Sequence, residues 1–503
     1  MHTFIVSFSG EMSLKSRGTR NRFLDRLMHN LADALKSHGV EYRLQRRWSR
    51  ILIESESTEV PKVASRVFGI QSIAWARKKP WKTLDDLVRI GAEHFRPLVK
   101  GRTFAVRVKR GEEASRIPFK SPELERLLGA ELAPHGAGVD LTRPEIEARV
   151  ELQGEEAFYF DRLTPGEGGL PVGAEGRALT LFSGGFDSPV AAWSLWRRGV
   201  RQDFVFFNLA GEQHTREVLA VLKSLVDGWA FGYRPRCFII DFLPVVEELK
   251  AESPARLWQV LLKRRMLAAA DRIAEFLQAS ALITGDAVGQ VSSQTLQNLD
   301  VVSRVAQRPV LRPLVAWNKD EIIALARRIG THDVSARVPE YCGLRGPSGP
   351  SIHARLEDVE AAEARLDPGM LERVSAERAI LDLRAFDLGA AERKELEVES
   401  VPEGSRLIDL RSAAAYEAWH PAGAVRCPYP EVLRHVGSFE PDATYVVYCE
   451  VGLKSAHLAD FMTRAGLRTF HLKRGVHTLR KAALEHDPAL AALLSPAHRD
   501  RSS

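Results

Sequence analysis

The stretch ALTLFSGGFDSPVAAW, residues 178–193, constrains this chain more than any other. An apolar run stops at Ser-Gly-Gly-Phe-Asp-Ser, Pro189 stands where the first turn of a helix tolerates it, and an Ala-rich helical sequence follows. The strand-helix alternation continues to about residue 330 through DFVFFNLA, REVLAVLKSLVDGWA, RCFIIDF, LLKRRMLAAADRIAEFLQ and ALITGD. Apolar runs without interspersed polar residues suit parallel strands buried on both faces, so the middle of the chain is expected to be a doubly wound parallel sheet.

A turn of this composition, between a strand end and a helix start, is suited to an anion. Glycine lets backbone N–H groups approach phosphate oxygens, the helix N-terminus adds partial positive charge, and Ser183 and Ser188 offer hydroxyl donors. Asp187 is the odd member beside phosphates, and it makes sense if it holds Mg²⁺ between itself and a nucleotide. The loop lacks the lysine of a Walker sequence. On the hexapeptide alone, a Gly-Gly turn that only joins strand to helix stays open.

At 503 residues the chain exceeds one hydrophobic core, and three or four domains are expected. No window approaches the ~18 apolar residues of a membrane span, and MHTFIVSFSGEMSLK is not a secretory leader, so no membrane and a cytoplasmic location are expected. Cys237, Cys342, Cys427 and Cys449 lie far apart with no C-x-x-C pair. That argues against a disulfide framework, a zinc knuckle and a typical iron–sulfur site, and leaves nucleophilic or redox chemistry for any working cysteine. Residues 1–128 hold 26 Lys+Arg against 14 Asp+Glu, a net +12 beside +6 for the whole chain. A basic segment with interleaved aromatics, AWARKKPWKTLDDLVRI, suits a polyanion such as nucleic acid, although a solvated charged face would read the same way.

Before the core, TFIVSFS, a basic helix ended by Gly39, and the hairpin-like VEYRLQRRWSRILIES give way to TFAVRVKR, a helix at SPELERLLGAEL with Ser121 as N-cap, and strands in EIEARVELQGEEAFYF. RLTPGEGGLPVGAEGR reads as a linker. Beyond the core come helical SIHARLEDVEAAEARL and PGMLERVSAERAIL, a charged linker, and a small α/β unit opening at RLIDLRS.

The Ser-Gly-Gly-x-Asp-Ser loop resembles that of the ATP pyrophosphatases, which cleave ATP to AMP and pyrophosphate to adenylate a carbonyl oxygen. With LLKRRM, TGDAVGQVSSQTLQNL, RPL, WNKDEI and YCG, the match is closer to the tRNA 4-thiouridine synthetase family (tRNA sulfurtransferases). GEMSLKSRGTRNRFLDRL is similar to that family's ferredoxin-like leader, and FAVRVKRGEEASRIPFKSPELERLLGAEL to its RNA-binding THUMP domain. The resemblance implies an α/β multidomain chain: an α+β ferredoxin-like domain at 1–60, an α+β THUMP domain at 61–165, an ATP pyrophosphatase core with helical extension at 166–395, and a rhodanese domain at 396–503. It also implies a nucleotide on Leu181, Phe182, Ser183, Gly184, Gly185, Asp187 and Ser188, against Lys263, Gly285 and Gln294, with Lys319 as a transition-state charge.

TYVVYC ends in Cys449, with Gly452 and a helix from SAHLADF next and Ser455 as the expected cap. Converging N–H groups at a helix start favour a thiolate, and a pKa below the free value of ~8.5 is expected. IDLRSAAAYEAWHPAGAVRCPY resembles the rhodanese signature, with one departure: Lys454 stands where rhodaneses commonly have Arg. A Cys-x5-Arg phosphatase loop is the competing reading, and the missing Arg counts against it. Cys237 and Cys427 read as small buried hydrophobes.

The resemblance implies ATP and Mg²⁺ as cofactors and tRNA as partner, with AMP transferred to O4 of uridine 8 and sulfur delivered by Cys449 as a persulfide. Cys342 would be the partner thiol, a cysteine desulfurase the persulfide donor, and a thiol reductant would restore the pair. A homodimer is compatible with the sequence, which does not specify one. Family members also supply sulfur for the thiamine thiazole, a second role the resemblance allows. The alternatives are an ATP pyrophosphatase that thiolates or amidates a small molecule, against which the basic N-terminus argues, and a non-catalytic tRNA-binding sulfur carrier, against which the intact loop argues.

Overall fold

The computed structural model describes residues 1–47, 49–111, 117–210, 212–339, 349–389, 394–429, 431–450 and 452–486, and counts below refer to these. The chain divides into two compact units, one of Met1–Gly176 with Ser194–Arg201 and Trp229–Tyr233, the other of Arg177–Trp193, Gln202–Gly228 and Arg234 onward.

The first unit is built on a nine-stranded sheet: β1 His2–Phe8, β2 Arg43–Arg46, β3 Ile51–Ser55, β4 Ile70–Pro80, β5 Thr103–Arg110, β6 Gly138–Val139, β7 Ile146–Gln153, β8 Glu156–Phe160 and β9 Thr164–Pro165. The order is β2-β3-β1-β4-β8-β7-β5-β6, with β9 also on β4. Strand β4 is the hinge of this order, antiparallel to β1 through Thr3–Ala76 and to β8 through Arg77–Tyr159. Ferredoxin-like and THUMP-like segments therefore share one sheet, and β9 draws part of the expected linker into it.

Helix α1, Arg17–Ser37, buries Phe23, Leu24, Leu27, Leu31, Ala34 and Leu35, the spacing of one helical face, against Phe4, Val6, Ile51 and Ile53. Helices α2, Leu84–Val99, and α3, Ser121–Leu132, bury Leu87, Phe95, Leu124 and Leu128 in a second core with Phe104 and Val150. Each such large apolar side chain contributes roughly 1.5–3 kcal/mol on burial. Lys120, not Ser121, is the residue flanking α3, because Ser121 already has helical conformation and Pro122 occupies the first turn.

In the second unit the central sheet has order β14-β13-β10-β11-β12-β15, from β10 Arg177–Leu181, β11 Arg201–Asn208, β12 Arg236–Asp241, β13 Ala281–Ile283, β14 Val310–Leu311 and β15 Ala379–Asp382. Pairs β10–β13, β11–β12 and β13–β14 are parallel, as expected. Strand β15 corrects the sequence reading, which placed Ala379, Ile380 and Leu381 in a helix: Ala379–Asp382 runs antiparallel along β12 at the sheet edge. Alternating burial of Ala379 and Leu381 is too short a signal to separate from the preceding helix Met370–Ala376. Around the sheet pack α4 Asp187–Arg197, α5 Glu212–Trp229, α6 Trp258–Phe276, α7 Leu296–Ser303 and α8 Lys319–Ile329.

The C-terminal part is a five-stranded parallel sheet of order β16-β20-β19-β17-β18, from β16 Glu397–Val398, β17 Arg406–Asp409, β18 Val425–Arg426, β19 Thr444–Tyr448 and β20 Arg468–Leu472. Helix α9, Leu453–Arg464, follows β19.

Candidate functional site

Strand β10 ends at Leu181 and α4 begins at Asp187, so the intervening loop lies at the carboxyl edge of the parallel strands, where doubly wound sheets bind ligands. The Ser183 N–H donates to Ser188 Oγ at 3.2 Å, which ties the loop to the first turn of α4. Gly184 has φ +79°, and a Cβ there would meet Val218 Cγ2 at 2.9 Å, so both conformation and space demand glycine. Phe182 is buried edge-on to Phe204, and its N–H is taken by Val205 O; Leu181 is partly buried against the core that holds Leu179 and Val205.

Two carboxylates organise what surrounds the loop. Asp187 accepts from Lys319 Nζ at 2.9 Å on Oδ1 and from Gln290 Nε2 at 3.0 Å on Oδ2. Lys319 opens α8, whose N-cap Asn318 forms a capping box with Glu321, and its ammonium also lies 5.6 Å from the Phe186 ring centre. Gly285, just after β13, packs against the loop: a Cβ there would meet Asp187 C at 2.9 Å and Ser188 N at 3.0 Å.

The second carboxylate, Asp286, is buried. Its Oδ1 accepts from Lys263 Nζ at 2.9 Å and Gln294 Nε2 at 3.0 Å, and its Oδ2 from Thr284 Oγ1 at 2.8 Å, with Arg312 Nε at 3.4 Å. Burial opposes ionisation, but Lys263 above all, with Thr284 and Arg312, overcomes it and holds the carboxyl at about 2. Gln294 Oε1 is buried and has no hydrogen-bond partner among the described residues.

A resident Mg²⁺ does not fit the residues as they stand. Mg²⁺ is held by one or two carboxylates, water and phosphate oxygens, and both oxygens of Asp187 are engaged by Lys319 and Gln290. Among the described residues no group of three or more His, Cys, Asp or Glu side chains forms a metal site.

At the end of β19, Cys449 is fully buried, its Sγ 3.5 Å from Ser455 Oγ. The helix boundary differs from expectation. Gly452, at φ +84°, is the N-cap of α9, and Ser455, inside the first turn, donates to Gly452 O at 2.8 Å. Gly475 backs the loop so closely that a Cβ would meet Cys449 O at 2.1 Å. The thiol also departs from the expected low pKa: burial first, then the Glu450 charge, push it up, and Lys454 and Ser455 offset them only in part. Lys454 Nζ is 3.1 Å from Glu450 Oε2, and both side chains are about nine-tenths buried. Asp409 and Arg411 of the D-x-R sequence form a buried bidentate pair, with Arg411 also donating to Trp419 O.

In the first unit, β1, β4 and helix α2 border a groove of about 790 Å³ whose lining includes Trp75, Arg77, Lys79, His94 and Arg162. Trp75 is 49% exposed and its ring centre lies 4.5 Å from that of His2. An exposed indole among cations is suited to stacking on a base.

Family models match the chain in order: a ThiI ferredoxin-like domain over residues 3–74, a THUMP domain over 82–159, the thiamine biosynthesis protein (ThiI) over 173–367 and a rhodanese-like domain over 393–482. A tRNA sulfurtransferase of Pyrobaculum aerophilum is 36% identical over 468 residues, spanning 92% of this chain and 95% of that relative.

The chain belongs to the tRNA sulfurtransferase family.

Another tRNA sulfurtransferase, from Aeromonas salmonicida, is 34% identical across 92% of this chain and 98% of its own length. Among solved structures, a 4-thiouridine synthetase–RNA complex with bound ATP aligns at TM-score 0.65 and 28% identity, covering 76% of this chain and 99% of that one. Within this tRNA sulfurtransferase fold, Asp187 meets both Gly285 and Lys319, and Lys263 and Gln294 converge on the residue after Gly285. Cys342 lies outside the described residues. Sequence reasoning missed Asp286, Gln290, Thr284 and Arg312, although TGDAVGQ and RPL were already recognised as family sequences. The available signal was a polar cluster right after an apolar strand, which marks the carboxyl edge of the sheet.

Proposed function

We propose that this tRNA sulfurtransferase makes 4-thiouridine at position 8 of tRNA by adenylating the uridine O4 with ATP and then delivering sulfur from a persulfide on Cys449. The observation that carries the first half is the convergence of the Ser183–Ser188 loop, Gly285, Lys319 and the Asp286 cluster at one sheet edge. The phosphates would lie on the N–H groups and hydroxyls of the loop, and Lys263 and Lys319 supply positive charge where negative charge develops on the transferring phosphorus. Mg²⁺ enters with the nucleotide phosphates as part of the substrate. Gln294 Oε1, which has no partner among the described residues, is suited to a donor on the nucleotide.

In this route O4 attacks the α-phosphorus and pyrophosphate leaves. The terminal sulfur of the Cys449 persulfide attacks C4 and AMP departs, leaving the base joined to Cys449 through a disulfide. Cys342, assigned by family resemblance, attacks the Cys449 sulfur, which frees the thiolated base and closes a Cys342–Cys449 disulfide. A thiol reductant supplies two electrons to reopen it, and a cysteine desulfurase reloads Cys449. The basic groove at Trp75, Lys79 and Arg162 is the proposed RNA contact. Sulfur supply to the thiamine thiazole would use the same persulfide.

The test is pyrophosphate release from labelled ATP with and without tRNA, followed by base analysis. Release that requires tRNA, followed by thiouridine once desulfurase and cysteine are added, is the expected result. Release that ignores tRNA would favour a small-molecule acceptor.

A further inference from the structure

The loop around Cys449 carries a charge arrangement that the reaction above does not need. Lys454 is the cation nearest in sequence to the sulfur on the first turn of α9, and a free cation there would draw in anions. It is not free: Glu450, next to Cys449, places Oε2 at 3.1 Å and Oε1 at 3.4 Å from Lys454 Nζ, inside the protein. A buried ion pair of this kind stabilises the fold little, because desolvating two charges offsets most of their attraction. It also works against forming the thiolate. An acid that costs reactivity and adds little stability calls for another reason to be there.

We propose that Glu450 is a specificity-determining residue: by neutralising Lys454 beside the sulfur, it makes the loop reject small anionic sulfur donors, thiosulfate above all, in favour of a persulfide presented on another protein's cysteine. The proposal rests on the reading of Cys449 as sulfur carrier. In the rejected reaction the Cys449 thiolate would attack the sulfane sulfur of thiosulfate. A new S–S bond forms at Cys449, and the bond to the sulfonate sulfur breaks with its electron pair leaving on sulfite. That donor brings two negative charges to a loop whose ion pair sums to zero. In the accepted reaction the thiolate attacks the terminal sulfur of a cysteine persulfide and the donor's cysteine thiolate leaves, so the departing charge stays on the donor protein.

The experiment uses the full-length protein, thiosulfate as donor and cyanide as acceptor, with thiocyanate as readout. In parallel, Cys449 is loaded from a cysteine desulfurase plus cysteine. Glu450→Gln is expected to lower KM for thiosulfate on the order of tenfold or more, since it leaves a cation unopposed in a confined site, while still loading from the desulfurase. An unchanged thiosulfate KM in a variant that still loads from the desulfurase overturns the proposal and leaves the carrier reading intact. Thiouridine synthesis by Cys449→Ser would overturn the carrier reading and the proposal with it. Should Glu450→Gln not fold, the wild type still decides, through alkylation of Cys449 by anionic iodoacetate and neutral iodoacetamide. The iodoacetate-to-iodoacetamide rate ratio is independent of thiol pKa, and it should not exceed that of free cysteine. A ratio above that of free cysteine would show an effective cation at the sulfur and overturn the proposal.

Discussion

Lys319 Nζ lies 2.9 Å from Asp187 Oδ1, an ion pair between residues 132 positions apart in the chain. It joins the first residue of α8 to the first residue of α4, and Gly285 packs directly behind it. The acidic member of the loop is thus held by a cation and an amide before any nucleotide arrives.

Asp187→Ala should therefore lower tRNA-dependent pyrophosphate release by roughly 10²–10³-fold, the scale for losing one organised electrostatic partner in a transition state. Binding of tRNA, measured by filter retention, should stay near wild type. A variant with normal pyrophosphate release would remove Asp187 from the site.

At Gly285, alanine is expected to act through space alone. Its Cβ would stand 2.9 Å from Asp187 C, and backbone cannot step aside as a side chain end can. Overpacking of this kind costs about 1–3 kcal/mol, and here it should displace the loop. A raised KM for ATP with a modest fall in thermal stability is expected, and an unaltered KM would contradict the close approach.

Asp286 makes stability depend on acid. Its folded pKa of about 2 lies below the ordinary carboxylate value of 3.8, so its contribution is complete above that ordinary value and is lost as pH falls toward 2. The shift corresponds to ~2 kcal/mol. Asp286→Asn should melt lower than wild type at neutral pH, and the gap should shrink when melting is followed from about pH 5 down to about pH 2. A gap that does not change with pH would show that the carboxylate charge is not what holds Lys263 and Gln294.

For Cys449 the sign is opposite. A thiol whose pKa is raised by burial and by Glu450 stays protonated at neutral pH, so iodoacetamide alkylation should keep accelerating above the ordinary thiol value of ~8.5. Mass spectrometry of the Cys449 peptide against pH measures this. Saturation already at neutral pH would mean that the loop opens in solution.

Trp75, Lys79 and Arg162 provide a check on the RNA face. Trp75→Ala should weaken tRNA binding by ~1–3 kcal/mol if a base stacks there. Lys79→Ala and Arg162→Ala should each reduce the slope of log affinity against log salt by roughly 0.7–0.9. Wild-type affinity and slope in all three would place the RNA elsewhere.

Short-range pattern was enough for much of this protein. The Ser-Gly-Gly-Phe-Asp-Ser turn, the parallel strands on either side of it and the placement of Cys449 between a strand and a helix are legible because each depends on a few neighbouring residues and on a period of side chains. Gly285 and Lys319 were expected because the family resemblance implies them, and the structure places each at an element end, Gly285 just after β13 and Lys319 after the capping Asn318.

Tertiary structure alone decided which charges meet. Asp187 reads as an open carboxylate in sequence and proves to be engaged on both oxygens, while Asp286, unnoticed in sequence, gathers Lys263, Gln294, Thr284 and Arg312. The residues of β15 look helical until β12 offers an edge for them to pair with. Cys449 looks like an activated thiol until its burial and the Glu450 carboxylate are counted. The common physical reason is that ion pairing, edge pairing and desolvation depend on what lies a few ångströms away, and in a folded sheet that neighbour is set by strand order, which local sequence does not encode.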